Sequence, residues 1–425
     1  MELMLSIFLS CAFCTDFRDE PIMKYVIIGN GVAANSAAEA IRKADATGSI
    51  TILSKSRHCF YYVPALPEYL AGEKEVKDFT LHDRAWYERK SIDLHLGLEV
   101  TGIDAKAKTV VTADGVSWPY DRLLLAMGGH AHIPPIKGAD AEGVMTLRTI
   151  DDADCIIARL GAPCRLIVVG GGLLGLEAGN GLRKRGMEVS IVELADRLLP
   201  RQTDPAASAM LRRQLEGMGF SFHLNVNLRE IARRQGGLSV ITEEGEEFPS
   251  DMVLLLSAGV RPETALARDL GLEIGLGVKV DDRMATALED IYAAGDLIEH
   301  RGRYYGIWPA ATAQGRVAGV NMAGGDMTYE GTVPSNKLKV AGVDLVATGE
   351  LDAAGRMESL VRSDEAGLVY RKLVLRDNAI VGAVLLGDVC GADYIQLAIQ
   401  SGRDISDLKE VIMDEGFDFK RLKQA

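Results

Sequence analysis

The 425-residue sequence is short of basic residues and of regularly spaced cysteines, and each shortage excludes a class of function. Lysine and arginine number 47 against 60 aspartates and glutamates, which leaves a formal net charge of -13. Such a chain is repelled by nucleic acid and by anionic membrane surfaces. Its six cysteines do not form a disulfide framework, which favours a reducing cytoplasm. No cluster of histidine, cysteine and aspartate has the spacing of a metal site, and no serine, histidine and aspartate set suggests hydrolysis.

Residues 1–22 do not fit the pattern of the rest of the chain. The run LMLSIFLSCAFC is apolar, but it is shorter than a membrane span and has neither a basic flank nor a small-residue cleavage site. Because the first predicted strand begins just after Met23, a misassigned start codon explains this leader better than a membrane anchor does. We therefore expect no membrane insertion.

Two segments of the chain repeat one plan. The first runs from KYVIIGNGVAANSAAEAIRKA to ITILSK, and the second runs from RLIVVGGGLLGLEAGNGLRKRG to VSIVEL. In each, a β-branched apolar run meets a glycine turn, an Ala-rich helical stretch follows, and a second β run returns. This is the pattern of a βαβ unit. The predicted fold class is therefore α/β, with two Rossmann-like dinucleotide-binding domains.

Gly29, Gly31 and Ala34 form a GxGxxA turn between a predicted strand and a predicted helix. Gly29 permits the tight turn, Gly31 lets the backbone approach a pyrophosphate, and Ala34 allows close packing of the helix on the strand. The anion would rest on the helix N-terminus. The next strand ends in Ser54 and Lys55, where an acid would usually bind the ribose. Ser54 can still exchange one hydrogen bond, and Lys55 could meet a phosphate.

Gly170, Gly172 and Gly175 repeat the fingerprint in the second unit. Here Glu193 closes the second strand where the ribose-binding acid belongs. A carboxylate at this place accepts hydrogen bonds from the 2′-hydroxyl and repels a 2′-phosphate, so NADH should be preferred over NADPH. Arg197 lies near enough in the sequence to soften that repulsion.

The remaining patterns divide the chain into three domains. Residues 23–140 and 277–327 form the first dinucleotide-binding domain, and residues 141–276 form the second. From about residue 328 short strands replace the βαβ pattern, so residues 328–425 are predicted to form a small C-terminal α+β domain that closes with a charged helical tail.

Five motifs follow the order of a known family: VIIGNGVAAN, YDRLLLAMGG, VVGGGLLGLEAG, SAGVRPE and IYAAGD. By these motifs the chain resembles the pyridine nucleotide-disulfide oxidoreductase superfamily of flavoproteins. The resemblance implies FAD on the first domain and NADH on the second. It also implies that Asp296, after Gly295, binds the ribityl and pyrophosphate part of FAD, and that Glu177 lies near the nicotinamide pocket. The candidate FAD-binding residues are Gly29, Gly31, Ala34, Ser54, Lys55, Pro64, Gly128, Gly295 and Asp296, and the candidate NAD-binding residues are Gly170, Gly172, Leu174, Gly175, Glu193 and Gly259.

The cysteines that many members of this superfamily use for catalysis are missing. Disulfide reductases of the superfamily carry a CxxxxC pair near the flavin, whereas the stretch from Ser54 to Gly72 has only Cys59. Peroxidase relatives keep one cysteine before an LPYY-like run, and Pro64 takes that place here. We therefore expect Cys59 to be a packed thiol without a redox role.

The stretches YYVPALPEYLAG, LKVAGVDLVATGE and VGAVLLGD look like the NADH:rubredoxin reductases and the flavin domain of assimilatory nitrite reductase. This branch implies that NADH reduces FAD and that electrons pass on to a small redox protein such as rubredoxin. The chain has no siroheme-binding extension, so we do not expect it to be a whole nitrite reductase. Two alternatives stay open: an NADH oxidase or peroxidase, and an NADH-entry or electron-relay subunit of a larger complex. A homodimer is also consistent with the sequence.

Overall fold

The first part of the chain forms the predicted βαβ unit and an antiparallel insertion. The computed structural model describes residues 22–161, 164–255, 259–332, 335–340, 342–352 and 354–423, so the predicted leader lies outside them except for Ile22. The elements of this part are β1 (Lys24–Ile28), α1 (Val32–Ala44), β2 (Ser49–Ser54), a 3-10 turn (Val63–Ala65), α2 (Leu66–Ala71), α3 (Val76–Phe79), α4 (Arg84–Arg89), β3 (Ile92–Leu96), β4 (Val100–Asp104), β5 (Thr109–Thr112), β6 (Ser117–Pro119), β7 (Arg122–Leu125) and β8 (Gly129–Ala131).

The middle of the chain repeats the unit and adds its own antiparallel insertion of three strands. The elements are β9 (Val144–Met145), α5 (Ile150–Ala158), β10 (Arg165–Val169), α6 (Leu173–Lys184), β11 (Glu188–Val192), α7 (Pro205–Gly217), β12 (Ser221–His223), β13 (Leu228–Arg234), β14 (Gly237–Thr242), β15 (Glu247–Ser250), β16 (Met252–Leu255) and β17 (Val260–Pro262). Strands β12-β11-β10-β16-β9 make a five-stranded parallel sheet in that order.

The chain then returns to complete the first sheet. The elements of this return are α8 (Ala265–Asp269), β18 (Val278–Val280), β19 (Ile291–Ala293), β20 (Ile298–His300) and α9 (Trp308–Met322). Strand β19 joins the sheet β19-β7-β1-β2-β3, which is also parallel throughout. Both parallel sheets carry buried aliphatic strands, as sheets covered on both faces require. The predicted fold class, with two Rossmann-like domains, is confirmed.

The last part of the chain forms an antiparallel sheet with one long helix. Its elements are β21 (Ser335–Val340), β22 (Val343–Gly349), β23 (Glu358–Asp364), β24 (Val369–Arg376), β25 (Ala379–Leu386), α10 (Ala392–Ser401) and a 3-10 turn (Phe419–Lys423). The strand order is β21-β22-β25-β24-β23. Helix α10 covers one face of this sheet, and the other face packs on the middle of the chain through Leu345, Tyr370 and Leu386.

The prediction of a charged helical tail is wrong. After α10 ends at Gly402, whose φ of 63° lies in the left-handed region, the chain continues in turns up to the final 3-10 turn. The physical reason is burial: Leu408, Ile412 and Phe419 join the core under α10, and Gly416 also has a positive φ. The many charged residues around these apolar side chains made the segment look like an exposed helix.

Packing in the core bears on where the domains divide. Ile136 and Ala139 pack with the second parallel sheet, whereas Ala267 and Leu272 pack with the first. We therefore propose that the divisions lie at the two-stranded ribbon of β8 and β17, rather than at residues 140 and 276.

Within the described ranges, no helix combines the length and the apolar character that crossing a bilayer requires.

Helix α9 lies against α1 through two glycines that are one turn apart. A Cβ atom at Gly315 would stand 2.2 Å from the carbonyl oxygen of Ala33, and one at Gly319 would stand 2.4 Å from that of Ala37. Because these neighbours are backbone atoms, a side chain at either position must push the helices apart. The close approach therefore fixes α9 against the helix that begins at the first glycine turn.

This packing predicts opposite effects for two glycine-to-alanine changes in helices. Gly315→Ala should destabilise the protein by about 1–3 kcal/mol, because overpacking outweighs the helix propensity of alanine. Gly217→Ala, at an exposed helical position with no atom within 4 Å of the added Cβ, should be neutral or stabilising by up to about 1 kcal/mol. Thermal unfolding of both variants tests this. Equal melting temperatures would show that α1 and α9 can separate at little cost.

Candidate functional site

The first glycine turn combines one crowded glycine with one open glycine. Gly29 has a φ of 108°, and a Cβ atom there would lie 2.2 Å from the carbonyl oxygen of Ala126. Gly31 caps the N-terminus of α1 without a side-chain hydrogen bond, and a Cβ there would meet no atom within 4 Å. The open space lies where the free N–H groups of the helix begin, so the turn fits a pyrophosphate group. Ala34 is fully buried behind it.

A buried amide network supports this turn. The Nδ2 group of Asn35 donates to the carbonyl oxygens of Asn30 (3.1 Å) and Gly31 (3.0 Å) and to Asn30 Oδ1 (3.0 Å). Its Oδ1 atom accepts from the hydroxyl of Tyr87 at 2.8 Å and lies 3.1 Å from Nδ1 of His82. Because Nδ2 faces backbone carbonyls, Oδ1 must be the acceptor, and His82 therefore carries its proton on Nδ1. Tyr87 lies 52 residues from Asn35 and, like His82, outside the motifs that carry the resemblance, so the sequence did not predict this network.

His82 is uncharged in this environment. Burial, with a smaller contribution from Lys90, lowers the pKa of His82 from 6.5 to about 4. Its ring stacks on Trp86 with the ring centroids 3.5 Å apart and meets Phe60 at 5.1 Å. A charged imidazolium would lose hydration here without gaining an ion pair shorter than the 3.8 Å contact with Glu39.

The structure separates the two residues predicted at the ribose end of the first site. Ser54 is buried as the last residue of β2, and its carbonyl oxygen accepts from the N–H of Leu98 at 2.8 Å. Lys55 is exposed and forms an ion pair with Glu99 at 2.8 Å. The cation therefore has a carboxylate partner of its own, and a phosphate contact from Lys55 would require it to leave Glu99.

Gly295 and Asp296 lie at the carboxyl end of β19. The N–H of Gly295 donates to the buried side chain of Gln314 at 3.0 Å, which ties the turn to α9. Asp296 forms an ion pair with Arg148 at 2.7 Å, and Arg148 also donates to the carbonyl oxygen of Gly129 at 3.3 Å. Sequence reasoning missed Arg148, since it lies in no motif and is 148 residues from Asp296.

The second glycine turn has the same division of roles. Gly170 has a φ of 120°, and a Cβ atom at Gly175 would lie 2.0 Å from its carbonyl oxygen. Gly172 caps α6 with no atom within 4 Å of an added Cβ, so this turn also leaves space for an anion at a helix N-terminus. Leu174, the second residue of α6, is half-buried beside it.

Glu193 is fixed at this turn by backbone N–H groups. Its Oε2 atom accepts from Gly171 at 2.7 Å, and its Oε1 atom accepts from Ala195 at 2.8 Å. Each carboxylate oxygen retains a lone pair that a ribose hydroxyl can use. Arg197 forms an ion pair with Asp196 at 2.7 Å and is therefore held by a carboxylate other than Glu193.

Helix α6 meets α2 close to the predicted nicotinamide pocket. A Cβ atom at Gly181 would lie 2.6 Å from the carbonyl oxygen of Pro67. Glu177 lies one helical turn earlier on the same face of α6 and is half-buried. Pro64 is exposed in the 3-10 turn that leads into α2. The contact thus brings the segments that carry Glu177 and Pro64 towards each other.

Gly128 and Gly259 flank the ribbon that joins the two dinucleotide-binding domains. Both have positive φ angles, of 68° and 71°. The carbonyl oxygen of Gly128 accepts from the N–H of Glu263 at 2.9 Å, and that of Gly259 accepts from the N–H of His132 at 3.0 Å. These glycines therefore shape the crossover between the domains.

Cys59 has the environment of a packed thiol. It is half-buried, and burial raises its pKa, so little thiolate forms near neutral pH. Cysteines 59, 155, 164 and 390 are free within the described ranges. In the same part of the chain, no three histidine, cysteine or acidic side chains come together in a group that could hold a metal ion.

Residues 23–315 match the family model "Pyridine nucleotide-disulphide oxidoreductase", and residues 334–403 match "Rubredoxin NAD+ reductase C-terminal domain". The first match covers more than half of the chain. The chain belongs to the pyridine nucleotide-disulphide oxidoreductase family. This confirms the resemblance found in the motifs, and the family it points to binds FAD and a nicotinamide dinucleotide.

The relatives of this family member differ in length and in name. It is 37% identical to nitrite reductase (NAD(P)H) of Bacillus subtilis. The alignment spans 388 residues, which is 91% of this chain and 48% of the relative. It is 32% identical to the NADH-dependent phenylglyoxylate dehydrogenase subunit epsilon of Aromatoleum evansii, over 84% of this chain and 87% of that protein. The crystal structure of NADH:rubredoxin oxidoreductase from Clostridium acetobutylicum aligns with a TM-score of 0.77 at 29% identity, over 90% and 96% of the two chains. The chain spans about half the length of the nitrite reductases that it matches.

The neutral His82 predicts that the first domain loses stability in acid. Its pKa is about 4 in the folded chain against an ordinary 6.5, so the unfolded chain binds a proton first as the pH falls. The stabilisation is complete above about pH 6.5 and is lost as the pH falls towards about 4. The dependence of stability on pH is measured by thermal unfolding at several pH values, monitored by the fluorescence of the flavin as it is released. His82→Gln should flatten the dependence in that window, and an unchanged slope would assign the effect to other groups.

Proposed function

We propose that this chain transfers reducing equivalents from NADH through FAD to a small redox protein such as rubredoxin. The observation that carries the proposal is the pair of open helix N-termini at Gly31 and Gly172, on two separate parallel sheets of one chain. FAD supplies the step from two-electron to one-electron transfer. The match of residues 334–403 to the rubredoxin NAD+ reductase C-terminal domain supports the acceptor class. We further propose a cytoplasmic location, on the free cysteines and the acidic charge.

The residues have separate roles in this proposal. The N-terminus of α1 binds the pyrophosphate of FAD, and Asp296, held by Arg148, orients its ribityl side. The N-terminus of α6 binds the pyrophosphate of NADH, and Glu193 accepts from its ribose. Glu177 lines the nicotinamide pocket. No protein acid or base is needed for hydride transfer itself, so the chain acts by positioning.

A second candidate is an NADH-entry subunit of a larger complex. Two findings favour it: the likeness to a dehydrogenase subunit named epsilon, and the nitrite reductases in which the matching segment is about half of the protein. The two candidates share the same site and differ only in the acceptor. An NADH oxidase or peroxidase is disfavoured, because Pro64 stands in the cysteine position and burial keeps Cys59 protonated.

Glu193→Gln should weaken NADH use and narrow the preference over NADPH by about tenfold, since a hydrogen bond to a charged group contributes roughly 1.5–3 kcal/mol. The amide keeps the length of the side chain and removes the charge that repels a 2′-phosphate. Steady-state kinetics with both nucleotides give the two kcat/KM values. Glu188→Gln is the matched control, because Glu188 begins the same strand about 16 Å away. Equal use of NADPH by the unchanged protein would contradict the proposed role.

Cys59→Ser should leave the electron outlet intact. Anaerobic stopped-flow mixing with NADH should reduce the flavin at a near wild-type rate, and rubredoxin should then reoxidise it. A thiol relay would instead give a long-wavelength charge-transfer band that disappears in the variant. If a disulfide or oxygen reoxidises the flavin and rubredoxin does not at any salt concentration, the proposed acceptor is wrong.

A further inference from the structure

The loop between β11 and α7 lies against the second glycine turn. The N–H of Leu199 donates to the carbonyl oxygen of Gly171 at 3.0 Å, and Gly171 also donates to Glu193. Leu199 has a φ of 50°, a conformation that residues other than glycine rarely adopt. Such a conformation persists only where the surroundings hold it. The shape of this loop is thus tied directly to the position of Glu193.

Buried hydroxyl groups hold the loop from its far end. Thr203 Oγ1 donates to the carbonyl oxygens of Leu198 (2.8 Å) and Leu199 (3.1 Å). The N–H of Leu198 donates to Ser208 Oγ at 2.9 Å. Thr203 and Ser208 are both almost fully buried. The loop therefore takes its conformation from the segment around Asp204, at the start of α7.

Asp204 is held by the C-terminal domain. One carboxylate oxygen caps α7 by accepting from the N–H of Ala207 at 3.0 Å. The other accepts from the hydroxyl of Tyr370 at 2.5 Å and lies 3.5 Å from the Nζ atom of Lys372. Asp204, Tyr370 and Lys372 are 7%, 3% and 6% exposed, so water does not replace these partners. Burial and the nearby carboxylate raise the pKa of Tyr370, so its hydroxyl stays a donor at neutral pH.

We propose that Tyr370 and Lys372 are positioning residues for the nicotinamide dinucleotide, acting through Asp204 and the loop that follows Glu193. The two side chains lie two residues apart on β24 and therefore face the same side of the sheet. This inference rests on the proposed function, since it assumes that the second glycine turn takes NADH. It gives the C-terminal sheet a role in nucleotide affinity besides any role in acceptor binding.

Tyr370→Phe tests the inference by removing one hydroxyl from a packed ring. The dissociation constant of NAD+ for the FAD-loaded protein, measured by calorimetry, should rise severalfold, because the loop after Glu193 loses a contact that holds it in one conformation before the nucleotide binds. KM for NADH should rise in parallel while kcat and FAD content stay near wild type. Tyr394→Phe is the control, because Tyr394 packs on the opposite face of the C-terminal sheet. It should leave both constants unchanged.

Asp204→Asn keeps an oxygen that can cap α7 and removes the charge, so it provides a second test of the inference. In this background Tyr370→Phe should raise the dissociation constant much less than it does alone. Additive effects would overturn the inference, as would a lower melting temperature with unchanged NAD+ affinity. If the unchanged protein binds neither NADH nor NADPH, the proposed function fails first, and the inference falls with it. If the unchanged protein and Tyr370→Phe bind equally well, only the inference fails.

Discussion

The structure depends on places where two backbones approach more closely than any side chain would allow. Gly29 against Ala126 and Gly175 against Gly170 bring each helix N-terminus onto its sheet, and only then do Gly31 and Gly172 face open space. The same constraint extends outwards through α9, whose glycines lie on the backbone of α1. Glycine is the only residue without a Cβ atom, so only glycine permits these contacts. They fix the orientation of both glycine turns without the help of any charged group.

The two turns are then stabilised in different ways. At the first, Asn35 is the centre of an uncharged network, since it donates to the turn and accepts from Tyr87 and His82. At the second, the carboxylate of Glu193 accepts from two backbone N–H groups and stays accessible to a ribose. A neutral network tolerates burial, whereas a carboxylate needs strong donors or water. The first turn is therefore supported by uncharged groups, and the second by a carboxylate.

The sequence predicts what is local and leaves out what is distant. The βαβ units, their glycines and Glu193 follow from short-range periodicity, so both parallel sheets and both turns could be placed in advance. Asn35 and Tyr87 are 52 residues apart, and Tyr370 and Asp204 are 166 apart, so only the folded chain brings them together. The prediction for the charged tail was wrong for a related reason. Leu408, Ile412 and Phe419 determine the path of this segment by packing into the core under α10, and that core is formed by distant strands. Motifs thus located the glycine turns, while tertiary contacts supplied their support.

These supports converge on the middle domain. Helix α6 contacts α2 of the first domain through Gly181 and Pro67, and Lys184 pairs with Glu73 at 2.6 Å. The middle domain also contacts the C-terminal sheet, where the hydroxyl of Tyr370 donates to Asp204 at the start of α7. The loop after Glu193 ends at Asp204, so the segment that leads away from the second glycine turn is also the segment on which the C-terminal domain makes its buried polar contact.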